Sequence, residues 1–143
     1  MRGFTVIELI VVMAVMALLS ALALPRLTDR SALQERGARD QLRSLLAYGR
    51  KVAITQQREV CVLTSAAAAR LVYVNAGACA PTLPLADPAG GGPLRLDMPP
   101  GVTLTGVPVL RFNARGQPAP ATDSLWRVGS LPVTVFRETG LAS

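Results

Sequence analysis

The longest apolar stretch of the chain lies at its N-terminus. From Phe4 to Leu24 only Thr5, Glu8 and Ser20 are polar. A helix of about 21 residues extends roughly 31 Å, which is the thickness of a bilayer core. No later stretch is as long or as apolar. The pattern therefore predicts one membrane-spanning helix over residues 4–25.

The pattern alone leaves two interpretations of this segment open. In the first it is a secretory signal peptide, with Arg2 as its charged start and Ala21-Leu22-Ala23 as a small-x-small cleavage site. In the second it is retained as a membrane helix. Glu8 favours retention, because a carboxylate in lipid is costly and serves no purpose in a segment that is discarded. The alternative is that Glu8 lies close enough to the interface to stay hydrated.

Beyond Pro25 the pattern stays helical, and we expect an amphipathic helix over residues 26–58. Pro25 lacks a backbone N–H group, so it should bend or break the helix at that point. Gly37 and Gly49 are weak points of the helix, with flexibility expected near Gly37. One face of this helix is small and apolar and should pack on a sheet: Ala38, Leu42, Leu45, Leu46, Gly49, Val52 and Ala53. The arginines among or opposite them are Arg36, Arg39, Arg43 and Arg50.

After residue 58 the period changes to that of β-strands. The predicted strands are 59–63, 70–74, 94–98, 102–105, 109–112, 125–128 and 132–137, the last two as a hairpin around Gly129-Ser130. Residues 65–69 are predicted to form a short helical turn and residues 75–93 an exposed loop. The predicted fold class is α+β. A long N-terminal helix, half transmembrane and half amphipathic, packs on an antiparallel sheet or small sandwich in residues 59–143.

Composition and charge narrow the function. The net charge is +6, which suits nucleic acid, anionic lipid or an acidic protein as partner, or a solvated surface. For the basic helix face we favour solvation together with subunit contact over lipid headgroups. The sequence has no histidine, the commonest general base and metal ligand, and only two cysteines, too few for a thiolate zinc site. We therefore predict that the protein is not an enzyme and holds no metal or cofactor.

The segment Gly3-Phe4-Thr5-Val6-Ile7-Glu8-Leu9, followed by the apolar run, resembles the processing site of type IV prepilins and pseudopilins. The resemblance implies that residues 1–3 are a leader, which is very short for the family but keeps Arg2 and Gly3. It implies that a prepilin peptidase cleaves between Gly3 and Phe4 and that the new amine of Phe4 is methylated. It also implies that Pro25 matches the proline at which family members kink or locally melt the helix.

The same resemblance implies a role for Glu8 in assembly. Its carboxylate would pair with the Phe4 amine of a neighbouring subunit, because an unpaired charge inside a bundle of apolar helices is costly. The implied function is a structural minor pilin or pseudopilin, which spans the bacterial inner membrane once and carries a periplasmic globular domain. It would join a type IV pilus or a type II secretion pseudopilus. The implied partners are other pilin or pseudopilin subunits, the prepilin peptidase, the inner-membrane assembly platform and lipid.

One pattern opposes a periplasmic domain. Basic residues near a membrane span favour the cytoplasmic side. On the C-terminal side of residues 4–25 they are Arg26, Arg30, Arg36 and Arg39, whereas the N-terminal side has Arg2 and the chain's amine. We give the processing motif more weight, because it is a match over several residues.

Two later elements are similar to the GspH/FimT family of minor pilins and pseudopilins. They are Phe112-x-x-x-Gly116, within 110–118, and the terminal Thr139-Gly140, within 133–140. Some members of that family bind DNA during natural transformation through arginines that follow the last glycine. Here Leu141-Ala142-Ser143 follows, so that element is absent. The alternative of a DNA-binding minor pilin therefore depends on phosphate contacts alone, from Arg111, Arg115, Arg127 and Arg137.

The two cysteines are candidates for a disulfide. If the domain is periplasmic, Cys61 and Cys79 are expected to pair. They would close a loop of about 18 residues, which is worth roughly 3 kcal/mol in the chain-entropy model. The alternative is two free thiols.

Overall fold

The computed structural model describes residues 5–27 and 30–143 of the chain. By their internal contacts the residues divide into two compact units, Met1–Leu33 and Gln34–Ser143. The first unit contains helix α1, Val6–Leu27. Helix α2, Arg30–Gln56, begins in the first unit and runs through the second.

Helix α2 buries the face that its periodicity predicts. The seven small and apolar residues predicted for this face, from Ala38 to Ala53, are all buried. Gly49 lies where the helix packs closely on the sheet, because a Cβ at this position would lie 2.9 Å from Cδ2 of Leu71. Gly49 therefore permits close packing. At Gly37 a Cβ would meet nothing within 4 Å.

Among the described residues, nine β-strands form two antiparallel sheets. The strands are β1 Val60–Thr64, β2 Ala68–Asn75, β3 Ala78–Pro84, β4 Arg95–Asp97, β5 Leu104–Gly106, β6 Val109–Phe112, β7 Pro118–Ala119, β8 Ser124–Val128 and β9 Leu131–Val135. The first sheet has the order β3-β2-β1-β6-β7, and β4 pairs with β2 beside β3. The second sheet has the order β5-β8-β9. The α+β prediction is confirmed.

Both sheets contribute to one hydrophobic core with α2. Val60, Val62 and Leu71 reach it from the first sheet, and Trp126 and Val133 from the second. Trp126 is fully buried, and its indole N–H donates to the carbonyl oxygen of Val107 at 2.9 Å. Val107 lies in the segment between β5 and β6, and this bond satisfies the polar group of the large core side chain of Trp126.

Two predictions about the connections between strands are wrong. Residues 65–69 do not form a helical turn. The N–H of Ser65 donates to the carbonyl of Ala68 at 2.8 Å, and β2 already begins at Ala68. The carbonyls of Ala66 and Ala67 accept hydrogen bonds from Leu104 and Met98, at 3.0 and 2.8 Å. These long-range partners stabilise a tight turn that the alanines do not specify by themselves.

The second error concerns residues 75–93, predicted as an exposed loop. Strand β3 lies within them, and Leu85 is buried. The side chains of β3 are mostly exposed, so the strand carries no apolar alternation. Pro81 and Pro84 also lack the N–H that a central strand would need, which restricts β3 to a sheet edge. The pairing of its backbone with β2 decides its structure.

Cys61 and Cys79 form a disulfide that joins β1 to β3. Because β2 lies between these strands, a flat sheet would separate them by roughly 9–10 Å. The two Cα atoms are only 5.8 Å apart, so β3 curls over one face of the sheet. It covers the face opposite to Val60 and Val62, where Cys61 and its cross-strand partner Val72 are fully buried. This segment therefore closes a second, small apolar cluster.

Candidate assembly site

Helix α1 begins at a cap formed by Thr5. The carbonyl of Thr5 accepts hydrogen bonds from the N–H groups of Glu8 and Leu9, at 3.1 and 3.2 Å. Its Oγ1 also accepts from the N–H of Glu8, at 3.4 Å. Thr-x-x-Glu is the sequence of a capping box, and an acid in the first turn interacts favourably with the helix dipole. The charge of Glu8 therefore favours the start of α1, a local role that was not predicted although Thr-x-x-Glu is visible in the sequence.

The carboxylate of Glu8 is exposed, so it is accessible to a charge from another molecule. Gly3 and Phe4, the residues predicted for cleavage and methylation, lie outside the described residues. Helix α1 continues through Pro25 to Leu27, and the bend predicted at Pro25 stays a prediction.

Between Val6 and Leu19 the surface of α1 is apolar on all sides apart from Glu8. From Val6 to Leu19 every large apolar side chain is between 48% and 78% exposed. A helix that is apolar all round needs cover from other apolar groups, because its surface has no face suited to water. The same surface is uniform, so it offers no preferred face for packing on a globular domain.

Within the described part of the chain, no helix combines the length and the apolar character that crossing a membrane requires.

Two residues in the N-terminal half of α2 bind the β8–β9 hairpin. The carboxylate of Glu35 accepts hydrogen bonds from the hydroxyl and the N–H of Ser130, at 2.8 and 3.3 Å. Arg39, one helical turn further, donates from Nε to the carbonyl of Pro132 at 3.0 Å. The basic face of α2 therefore does more than interact with solvent or neighbours, because Arg39 fastens the helix to its own sheet.

The loop Asn113–Gln117 contains Gly116, the glycine of the Phe112-x-x-x-Gly116 motif. The N–H of Gly116 donates to the carbonyl of Asn113 at 2.8 Å, and the N–H of Asn113 donates to the carbonyl of Gln117 at 2.9 Å. Oδ1 of Asn113 accepts from the N–H groups of Arg115 and Gln117. Gly116 has a φ of +77°, so the turn requires a residue that adopts the left-handed conformation readily.

Gly140 forms a similar feature near the C-terminus. Its φ is +67°, and its N–H donates to the carbonyl of Phe136 at 2.7 Å. The N–H of Phe136 in turn donates to the carbonyl of Leu141 at 3.0 Å, so Gly140 and Leu141 together oppose one residue in a β-bulge. The structure brings the two motif glycines into contact over α2, where both lie against the stem of Arg50.

The four arginines considered for phosphate contact lie on different segments. Arg111 is on β6, Arg115 in the β6–β7 loop, Arg127 on β8 and Arg137 in the turn after β9. Arg115, Arg127 and Arg137 are exposed. Arg111 instead donates to the carbonyl of Gly77 at 2.7 Å and lies 3.7 Å from the carboxylate of Glu59. It thereby helps to hold the β2–β3 hairpin over the sheet.

Comparison with known families supports the N-terminal motif. Residues 1–24 match the model of the prokaryotic N-terminal methylation motif. This match covers the predicted leader, the predicted cleavage position and most of α1. No curated protein matches the chain in sequence.

Comparison with solved structures identifies the fold. Two crystal structures of the type IV minor pilin FimU from Pseudomonas aeruginosa strain PAO1, in space groups P65 and P21, match with TM-scores of 0.57 and 0.59. The sequence identities are 16% and 17%, and the matches cover 76% and 82% of this chain. Each match covers 90% of the FimU chain. At these identities the likeness shows that the chain has the pilin fold.

Proposed function

We propose that this chain, which is type IV prepilin-like in its methylation motif and its pilin fold, is a structural subunit of an inner-membrane-anchored filament. In this proposal prepilin peptidase cleaves between Gly3 and Phe4 and the amine of Phe4 is methylated. Residues 4–25 anchor the subunit in the inner membrane as a single span. They later pack among the same helices of other subunits, after delivery by the inner-membrane assembly platform.

The observation that carries this proposal is the surface of α1. The large apolar side chains from Val6 to Leu19 are exposed in every direction, and Glu8 is the single charged residue between Phe4 and Leu24. Lipid can cover such a helix before assembly, and neighbouring α1 helices can cover it afterwards. A helix that served only the fold of its own chain would have one apolar face and one polar face.

Glu8 is positioned to select the register of assembly. The Thr5 cap holds it in the first turn of α1, four positions after Phe4 in sequence. Cleavage would give Phe4 a positively charged amine, and the exposed carboxylate of a neighbouring Glu8 would neutralise it. In apolar surroundings both charges are satisfied only when the helices are correctly staggered, because either charge alone is costly to bury.

The disulfide supports a periplasmic position for the globular unit. Disulfides persist in the periplasm and are rare in the cytosol, so the Cys61–Cys79 bond favours export. We give this bond more weight than the basic residues that follow Pro25, one of which, Arg39, binds Pro132 within the fold.

The likeness to FimU supports a type IV pilus as the filament, because FimU is described as a type IV minor pilin. A type II secretion pseudopilus, and membership of the GspH/FimT family, are compatible with the same helix and domain. The DNA-binding alternative depends only on exposed arginines on separate segments, and we do not propose it.

The experiment is mass spectrometry of the mature full-length protein from membranes, combined with filament incorporation of three variants. We expect a mature chain that begins at methylated Phe4. Glu8→Gln should be processed but poorly incorporated, since glutamine retains the capping box and loses the charge. Glu8→Leu should behave in the same way, and Thr5→Ala, which weakens the cap alone, should be incorporated. A mature chain that begins after Ala23 would contradict the proposal.

A further inference from the structure

The outer face of the second sheet carries a cluster of large apolar side chains. Leu125 on β8 is 46% exposed, and Phe136 and Leu141, which follow β9, are 46% and 52% exposed. Arg127 lies on the same face of β8, and its side chain is exposed. Together these four residues form the β8–β9 patch. Exposed side chains of this kind are ordinary when scattered, but a cluster of them marks an interaction surface.

The register of the sheet shows that these side chains are neighbours. Trp126 pairs with Val133, and Ser124 pairs with Val135, all four of them buried on the inner face. Leu125 and Arg127 therefore point outwards.

Phe136 points outwards too, since it follows the buried Val135. Leu125 is opposite Thr134, so Phe136 is its diagonal neighbour, at a Cα distance of roughly 7–8 Å that large side chains can bridge.

The β-bulge at Gly140 completes the patch. The N–H of Phe136 donates to the carbonyl of Leu141, which pairs the two residues across the terminal turn. Val135 and Ala142 form the next bridge, with Val135 buried in the core. Phe136 and Leu141 consequently share the outer face. Gly140, which belongs to one of the family-like motifs, thus also positions the exposed side chain of Leu141.

Charge indicates which kind of partner fits. The unit Gln34–Ser143 has twelve basic and seven acidic side chains, a net charge of +5. If two copies met symmetrically through this patch, their Arg127 side chains would be brought together and two units of like charge would repel. An acidic partner surface would instead be attracted by the net charge of the unit and pair with Arg127. Its carboxylates would lie at the Arg127 end of the patch, because Asp123 and Glu138 line a cavity with Phe136 at the other end. A nucleic acid would leave the three apolar side chains without apolar cover.

We propose that the β8–β9 patch docks an acidic surface with an apolar centre on a different filament subunit. Leu125, Phe136 and Leu141 form the apolar centre of the contact, and Arg127 pairs with a carboxylate at its rim. This inference rests on the proposed function, because it takes the chain to be assembled beside other subunits. It adds the face of the globular unit that makes the contact and the chemistry of its partner.

Site-specific photocrosslinking of the full-length protein in the producing bacterium tests this assignment. A photoreactive phenylalanine analogue replaces Leu125 in one strain. In the control strain it replaces Leu83, which is 41% exposed on β3 of the other sheet. Crosslinked species are identified by mass spectrometry down to the partner peptide. Arg127→Glu and Arg127→Lys are then each combined with the analogue at position 125.

We expect the analogue at position 125 to crosslink to one other prepilin-like subunit, at a peptide that contains carboxylates, and the analogue at position 83 to do so far less. Arg127→Glu should reduce the yield by about tenfold, and Arg127→Lys should retain most of it. A change of the partner's carboxylate to lysine should restore crosslinking of the Arg127→Glu variant.

Three results would overturn the inference: crosslinks to a second copy of this chain, crosslinks to nucleic acid, or equal yields from positions 125 and 83. The mature N-terminus and filament incorporation are measured in the same strains. If the chain starts at methylated Phe4 and enters filaments without the expected crosslink, only the docking surface is wrong. If it is neither processed nor incorporated, the proposed function is wrong, and the inference fails with it.

Discussion

The carbonyl oxygen of Gly116 occupies the space that a side chain on Gly140 would need. The two glycines are 24 positions apart in the sequence, and each closes a turn in the left-handed backbone conformation. A Cβ on Gly140 would displace the Gly116 turn, whereas a Cβ on Gly116 would meet Ile54 and the stem of Arg50 on α2. The contact connects the end of β6, the C-terminal segment and the helix.

Gly140→Ala should destabilise the protein by more than its backbone conformation alone explains. The left-handed conformation costs alanine about 1–2 kcal/mol, and overlap with Gly116 adds to this. Gly101→Ala is the matched control, because Gly101 has a φ of +83° and a Cβ there would meet nothing within 4 Å. Urea unfolding of the full chain in detergent measures both variants. Equal losses of stability would show that the contact between the two turns contributes nothing.

Glu35→Gln should loosen the attachment of α2 to the β8–β9 turn. It replaces a charged acceptor of two hydrogen bonds from Ser130 with a neutral one, so we expect a loss of about 0.5–1.5 kcal/mol in unfolding free energy. Asp40→Asn is the control, since Asp40 pairs with Arg43 at 3.9 Å on the exposed helix surface. That change should stay within about 0.5 kcal/mol. Hydrogen exchange at Ser130 should increase only in the Glu35 variant.

Substitution of the two glycines of α2 should change the stability of the protein in opposite directions. Gly37→Ala should stabilise the helix by up to about 1 kcal/mol, because its Cβ would point into open space. Gly49→Leu should destabilise the protein by about 1–3 kcal/mol, since its side chain would displace the buried Leu71 from the core. Thermal unfolding of both variants measures the shifts. If Gly49→Leu is tolerated, the close approach of α2 to the sheet is wrong.

Loss of the disulfide should release the β2–β3 hairpin and leave the main core in place. Cys79→Ala should lower the unfolding free energy by roughly 3 kcal/mol and expose Val72, because the bond fastens β3 over this residue. Limited digestion with a protease of broad specificity should then cut first within residues 75–93. Arg111→Met should produce a weaker form of the same effect, since it removes the bond to Gly77. Cleavage that starts elsewhere in the unit would count against this account.

An element of this fold could be predicted when its buried residues recur along the sequence at the spacing of a helix or a strand. The buried face of α2 and the hairpin β8–β9 were predicted because their residues alternate between core and solvent with periods of 3.6 and 2. Strand β3 was missed because its side chains are mostly exposed and its prolines disfavour a strand. The turn before β2 was misread because the carbonyls of Ala66 and Ala67 find partners only far along the chain.

The sequence by itself determined the processing motif, the apolar helix with its single acid and the residues that α2 buries. Each of these follows from neighbours within a few positions, where periodicity and capping act. Only the tertiary structure decided that Gly116 and Gly140 meet, that Arg39 and Arg111 bind their own fold, and that Leu125, Phe136 and Leu141 share one face. These contacts depend on strand register and on which later segments pack against α2. Local sequence preferences determine neither of these.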